Sequence, residues 1–230
     1  MRCARDAWKG LLAMDADRYL VSEWDCSEVN PQDICYRQNG NHGTGTGLVA
    51  ATDVVEGIAA GRALELDGSE WFDCGDGVSL QLPGSLTISA WVKIRNLVAG
   101  GCVVSKYGWN LIITDAEVPT FYTRNAADAG WDVDAVGPAL TPLEWYHLAA
   151  VYDVAAGTKV VYENGVPGVV VAKADGVCGA VAGHPLRVGA WSVGGLQLQG
   201  IVDSVRVYSA ALTQNQVADL YVASRRGYRR

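Results

Sequence analysis

Apolar and polar residues alternate through most of the chain, a period that predicts β-strands. The pattern is clearest from Leu86 to Arg95. There Leu86, Ile88, Ala90, Val92 and Ile94 face one way; Thr87, Ser89, Lys93 and Arg95 face the other, joined there by Trp91. The shorter runs Tyr19–Asp25, Ala63–Asp67, Trp71–Phe72, Cys102–Lys106, Trp109–Thr114 and Thr120–Arg124 also read as strands. So do Trp145–Asp153, Lys159–Glu163, Val166–Lys173, Leu186–Ala190 and Leu196–Tyr208. Asn164-Gly165, between two of these runs, is a two-residue hairpin signal. Asn39–Gly47 (NGNHGTGTG) holds four glycines and two asparagines, which marks a loop with positive-φ turns held in one shape. Many short strands, glycine-rich turns and almost no helix predict an all-β sandwich or barrel.

The stretch Leu196–Tyr221 is expected to close the fold. Ile201, Val205 and Val207 fall on one side of its strand, and Ser204, Arg206 and Tyr208 on the other. Thr213 and Gln216 then form a capping box, opening a helix whose apolar face is Val217, Leu220 and Tyr221. Asp203 is an acid inside this apolar strand. Burying a lone carboxylate is costly, so Asp203 must have a partner.

Composition narrows the picture without changing it. The chain has 230 residues, half of them hydrophobic, and 27 glycines, which suits one large β-domain with its own core. We divide it into an N-terminal arm (1–17, with a helical turn at Ala4, Trp8, Leu11 and Leu12), a sandwich (18–222) and a basic tail (223–230). Net charge is −7, and Arg225, Arg226, Arg229 and Arg230 at the end leave the body more acidic still. An acidic body argues against nucleic acid as the main ligand. The tail reads as a solvated end, with docking on an acidic partner or a phosphate backbone as the alternative. No apolar run approaches the roughly 18 residues of a membrane span, and the first twenty residues show no signal-peptide pattern. Six scattered cysteines (Cys3, Cys26, Cys35, Cys74, Cys102, Cys178) lack zinc-like spacing. Cys26 and Cys35 suit a local bridge in an oxidising compartment; without an export signal, free buried thiols are the expectation.

Several segments, in order, carry a resemblance. They are Asn39–Thr44 (NGNHGT), Gly61–Gly68 (GRALELDG), Leu86–Val92 (LTISAWV), Trp145–Tyr152 (WYHLAAVY) with the hairpin Tyr162–Gly165, then Gly200–Asp203 and Ala211–Thr213. Over residues 18 to 221 the chain resembles the laminin-G-like, concanavalin A-like jelly-roll domains of the lectin and glucanase superfamily. The resemblance implies two antiparallel sheets packed face to face, one of them concave, with a short C-terminal helix. It leaves function open, because this fold hosts lectins, enzymes, adhesion modules and spacers.

The resemblance also implies a structural Ca²⁺ where the loop after the first strand meets the last strand. Asp25, Asn39 and Asp203 would supply side-chain oxygens, supplemented by backbone carbonyls after Asp67 and near Gly43. His42 fits a hydrogen-bond donor better than a ligand. The alternative is that Asp203 accepts backbone N–H bonds from the Asn39–Gly47 loop, or pairs with Arg62 or Arg206.

Glu65, Asp67 and Glu70 reproduce the E-x-D-x-x-E spacing of the retaining β-glucanases of the superfamily, whose chemistry needs two carboxyls about 5 Å apart. Gly68-Ser69 reads as a turn that takes Glu70 off the strand, so no catalytic residue is assigned. Trp109, Trp131 and Trp191, with Asp132 and the neighbouring Asn110, Asp134 and Ser192, form the candidate ligand site. Tryptophan beside carboxylates stacks sugar rings and holds their hydroxyls. The alternative is that these rings cover the sandwich ends, as Trp71, Trp91 and Trp145 are expected to do. The expected function is a non-catalytic recognition or adhesion module for glycan or a partner-protein surface. A structural subunit of a virus particle, decorating it or attached to its fibres, is the second reading, and a glycoside hydrolase the third. A virion or other extracellular surface is the location this implies.

Overall fold

The computed structural model describes residues 14–225 apart from 36, 60, 96–99, 126, 128–129, 133, 174–177 and 179–181. The first strands are β1 (Leu20–Trp24), β2 (Thr44–Thr46), β3 (Val54–Glu56), β4 (Arg62–Asp67) and β5 (Trp71–Asp73). Next come β6 (Leu86–Ile94), β7 (Gly101–Lys106), β8 (Trp109–Ile113), β9 (Pro119–Thr123), β10 (Ala135–Val136) and β11 (Trp145–Asp153). The last are β12 (Thr158–Glu163), β13 (Val166–Pro167), β14 (Val171–Ala172), β15 (Arg187–Val188) and β16 (Gln199–Tyr208). Three α-helices, α1 (Met14–Asp17), α2 (Ala50–Asp53) and α3 (Gln214–Arg225), and a 3₁₀ turn at Val78–Leu80 complete the described elements.

The strands form two antiparallel sheets. One has nine strands, in the order β13-β12-β11-β6-β16-β4-β3, with β1 paired to β16 and β14 to β12. The other has seven, in the order β10-β9-β8-β7-β15-β5-β2. Their inner faces enclose one core that includes Ile88, Ala90 and Val92 of β6, Trp109 and Leu111 of β8, and Phe121 of β9. The outer face of the larger sheet is covered as well. Ala16 of α1 and Val217 and Leu220 of α3 pack there on Ala149, Val151, Val160 and Tyr208. The outer face of the seven-stranded sheet carries Tyr122 of β9, which is part-exposed.

The C-terminal segment closes the sandwich as expected, with one change. Thr213 N donates to Gln216 Oε1 at 2.8 Å and Gln216 N to Thr213 Oγ1 at 3.3 Å, the two arms of the capping box. Trp91 Nε1 donates to Ser224 Oγ at 2.8 Å, fastening the far end of α3. In β16, however, the pairing with β6 slips between Asp203 and Arg206, and Ser204 takes φ = 49°. This bulge inserts an extra residue. Val202, Val205 and Val207 therefore face the core, while Ile201 moves to the outer side with Asp203 and Arg206.

Three strand and boundary expectations also change. Val166–Lys173 is two short strands, because Pro167 has no N–H to donate and the chain leaves the ladder before Val171. β16 begins at Gln199, since Leu196 has φ = 49°. The boundary expected at residue 222 falls inside α3, while residues 1–13 of the arm and 226–230 of the tail lie outside the described residues. Cys26 and Cys35 do not bridge: Cys26 belongs to the inner core and Cys35 to the outer cluster. Cys74, Cys102 and Cys178 are buried as well; Cys3 lies outside the described residues.

Candidate functional site

Along β9, Phe121 faces the core and Tyr122 the open side of the sheet, as strand alternation requires. The chain after β9 makes a short excursion and returns, with Arg124 bridging to Trp131 and Asp132 N donating to Thr123 O at 2.8 Å. That return places Trp131, 38% exposed, edge-on to Tyr122 with ring centroids 6.2 Å apart. The Arg124 guanidinium lies over two rings, 4.5 Å from the centroid of Tyr107 and 5.1 Å from that of Trp131. His184 stacks on Tyr107 at 4.2 Å.

The last ring arrives from the turn after β15. Trp191 N donates to Gly195 O and Gly194 N to Trp191 O, a turn that needs the positive φ of Gly194 and Gly195. Ser192 N donates to Ser105 Oγ at 3.0 Å, pinning this turn on the outer side of β7. Trp191 then stands 6.5 Å from Trp131. The result is a continuous, half-exposed surface of His184, Tyr107, Arg124, Trp131, Tyr122 and Trp191.

The surface is braced from behind by buried cations. Lys173 Nζ forms an ion pair with Asp132 and donates to Arg124 O at 3.3 Å, so it ties both ends of the excursion that carries Trp131. Lys159 Nζ donates to Thr123 Oγ1 at 3.0 Å, and Thr123 Oγ1 to Asp132 Oδ2 at 3.2 Å. Burial pulls the Lys159 ammonium down to about 8, against the nearby charges of Asp132 and Asp134. Burial raises Asp134, and Lys159 opposes it. Further along, Lys106 Nζ donates to Asp76 Oδ1 at 2.5 Å and to His184 O at 2.6 Å, setting the position of His184.

Two residues expected at the ligand site have other roles. Trp109 is fully buried on the inner side of β8 and is a core residue. Asp132 pairs with Lys173 and accepts from Thr123 Oγ1, a bracing role. Trp131 and Trp191 are brought together as expected. Tyr107, Tyr122, Arg124 and His184 went unnoticed in the sequence. Only the alternation of Tyr122 with Phe121 signals any of them.

The three residues expected to hold calcium each make hydrogen bonds within the fold. Asp203 is fully buried, and its Oδ2 accepts the Ala59 N–H at 2.7 Å. The partner is thus a backbone amide, but from the β3–β4 turn and not from the Asn39–Gly47 loop; Arg206 pairs instead with Glu23 at 2.8 Å. Asp25 Oδ1 accepts from Ser27 N and Oγ at 3.1 and 2.7 Å. Asn39 Nδ2 donates to Val21 O at 2.7 Å. Calcium wants six to eight converging oxygens. Among the described residues no three His, Cys, Asp or Glu are grouped to hold a metal.

The glucanase-like carboxylates have partners within the fold. Glu65 alternates with the buried Leu64 and Leu66, points out of the larger sheet and pairs with Arg95. Glu70 turns back to accept the Asp67 N–H at 2.6 Å. Hydrogen bonds from Ser69 hold Asp67 below its usual range, and burial lifts Glu70 above its own.

Residues 66–218 match the Laminin_G_3 family of the concanavalin A-like lectin/glucanases superfamily. No curated protein matches the chain. Among solved structures, domain 4 of the extracellular arabinanase AbnA from Geobacillus stearothermophilus, in complex with arabinotriose, is similar at TM-score 0.66 and 21% identity. The match covers 88% of this chain and 98% of that one. The binding domain of Paraclostridial Mosquitocidal Protein 1 is similar at TM-score 0.68 and 13% identity, over 90% of this chain and 52% of that one. The botulinum neurotoxin serotype D ligand-binding domain, in complex with N-acetylneuraminic acid, gives 0.67 and 10%, over 92% and 52%. The chain thus spans about half the length of these toxin domains. At these identities the likeness shows the fold.

Proposed function

Because the chain belongs to the concanavalin A-like lectin/glucanases superfamily, we propose that it is a non-catalytic recognition module that binds glycan on its aromatic surface. The observation that carries this reading is the pairing of half-exposed Trp131 with Trp191, beside Tyr122, on a rigidly braced sheet. Such rings offer flat apolar faces with polar edges, the chemistry that stacks on sugar rings. The bracing lowers the cost of ordering the site on binding. Support comes from the similar arabinanase domain, which is in complex with arabinotriose, and from the toxin binding domains. The absence of catalysis is part of the proposal. It is supported by the separate engagements of Glu65 with Arg95 and of Glu70 with the Asp67 amide. A glycan array probed with the wild type and Trp131→Ala tests the reading: binding to a defined glycan set should be lost in the variant.

One observation favours a second reading, docking on a protein surface within an assembly such as a virus particle. Val136, Val166, Val169 and Val170 are all exposed, and Gly168, between Val166 and Val169, lies against Val136 O. A structure of a similar toxin binding domain in complex with rat synaptotagmin II gives that reading a protein-binding parallel. Gel filtration with light scattering separates the two. A monomer that binds glycan supports the first, and a self-associating protein silent on glycans supports the second.

A further inference from the structure

The Asn39–Gly47 loop plays no part in the aromatic surface, yet it is built to a fixed shape. The buried Asp33 carboxylate accepts from Ser22 Oγ, Glu23 N, Cys35 N and Asn41 N at 3.0 to 3.3 Å. Trp24 Nε1 donates to Asn41 O at 2.7 Å, and Asn41 Nδ2 to Ser22 Oγ at 2.7 Å. A Cβ on Gly43 would meet the Phe72 ring at 2.7 Å, so only glycine lets the loop pack this closely. This order lines one wall of a cleft of about 570 Å³. Asn39, His42, Thr44, Asp73 and Gly75 line it, with Thr44 and Asp73 directly paired across β2 and β5.

The polar groups in the cleft are of complementary kinds. His42 Nδ1 accepts the Asp33 N–H at 3.2 Å, so the neutral imidazole carries its proton on Nε2 and is a donor there. The Thr44 hydroxyl both donates and accepts. Asp73 Oδ1 accepts from Gly75 N at 2.8 Å and Oδ2 from Arg187 Nε at 3.2 Å. A carboxylate offers about four lone-pair sites, so it retains capacity. No tyrosine, tryptophan or phenylalanine lines the cleft among the described residues. Adjacent sugar hydroxyls are donors and acceptors at once and match this set. The Asp73 charge disfavours an anion.

Arg187 joins the cleft to the aromatic surface. Its Nε holds Asp73 in the cleft wall, and its Nη1 donates to Trp191 O at 3.3 Å. The two places therefore lie within the span of one arginine side chain. We propose that the cleft is a second sugar subsite, which reads the vicinal hydroxyls of a neutral sugar unit and continues the aromatic surface into one oligosaccharide site. The inference rests on the glycan reading above and extends it to ligand length and charge.

The test is calorimetric titration with the neutral trisaccharides arabinotriose, xylotriose, cellotriose and maltotriose, using the wild type, Thr44→Val, His42→Ala and Trp131→Ala. At least one trisaccharide should bind. Thr44→Val keeps the β-branched shape on an exposed strand and should weaken that binding about fivefold, the value of one lost hydrogen bond. His42→Ala should weaken it similarly, with both variants melting near the wild-type temperature. Wild-type affinity in both cleft variants overturns the inference, and a loss confined to Trp131→Ala then leaves the aromatic reading standing. Failure of all four trisaccharides also overturns it, whatever acidic glycans do on the array.

Discussion

The rings of Trp131 and Trp191 lie 6.5 Å apart at 51°, although one follows β9 and the other β15, strands that are not neighbours in the sheet. Their meeting depends on two unlike devices. A glycine turn drops Trp191 onto the open side of β7, and a buried lysine holds the return of the chain that carries Trp131.

The Lys173–Asp132 pair should therefore matter to both stability and binding. Lys173→Met removes the ammonium that both the partly buried Asp132 carboxylate and the Arg124 carbonyl accept from, at an expected cost of about 1–3 kcal/mol. Urea denaturation reads the cost, and glycan affinity should fall with it. Adding Asp132→Leu should recover part of the stability, because the stranded charge is then gone. Wild-type stability in the single variant would contradict the bracing role.

Asp203 is a latch between the bulge of β16 and the β3–β4 turn. Asp203→Ala removes the acceptor of the part-buried Ala59 N–H, and we expect a loss of about 1–3 kcal/mol. Chelator should leave the wild-type melting temperature unchanged, since Asp25, Asn39 and Asp203 are each engaged in hydrogen bonds within the fold. A drop with chelator would reveal a bound metal that this arrangement does not explain.

His147 makes the fold sensitive to acid. Burial, with the Arg206 charge adding to it, pulls its imidazole down from 6.5 to about 3. Between these values the unfolded chain binds a proton that the folded chain refuses. This contribution is thus fully present above pH 6.5 and lost as pH falls toward 3, at up to ~1.4 kcal/mol per pH unit. Unfolding free energies at pH 7 and pH 4 should differ less in His147→Leu than in the wild type. An identical difference would show that His147 does not contribute.

The capping box of α3 offers a smaller, local test. Gln216→Ala removes the acceptor of the Thr213 N–H and should cost about 1 kcal/mol. Amide exchange at the start of α3 should speed up while exchange in β6 stays slow.

Local pattern was enough to read much of this fold. The two faces of β6, the Asn164-Gly165 hairpin and the Thr213–Gln216 cap each rest on residues a few positions apart. What escaped depends on distant pairing. The extra residue at Ser204 reverses the side on which Ile201 falls, and only the register with β6 reveals it. Asp203 plainly needed a partner, but its identity comes from a turn 144 residues away. Trp109 beside Asn110 suggested a strand end facing solvent, yet its position in β8 places it opposite Thr123, on the inner side. Tyr107, Tyr122 and Arg124 look unremarkable in the sequence. They become a site only when β7, β8 and β9 align.

The most direct test of the aromatic site is to follow the indole N–H signals by two-dimensional NMR while adding the glycan selected by the array. Trp109, sealed in the core, serves as the internal control. We predict that the Trp131 and Trp191 signals shift in proportion to binding while Trp109 stays in place. Saturable binding that leaves Trp131 and Trp191 unmoved would contradict the assignment of this surface.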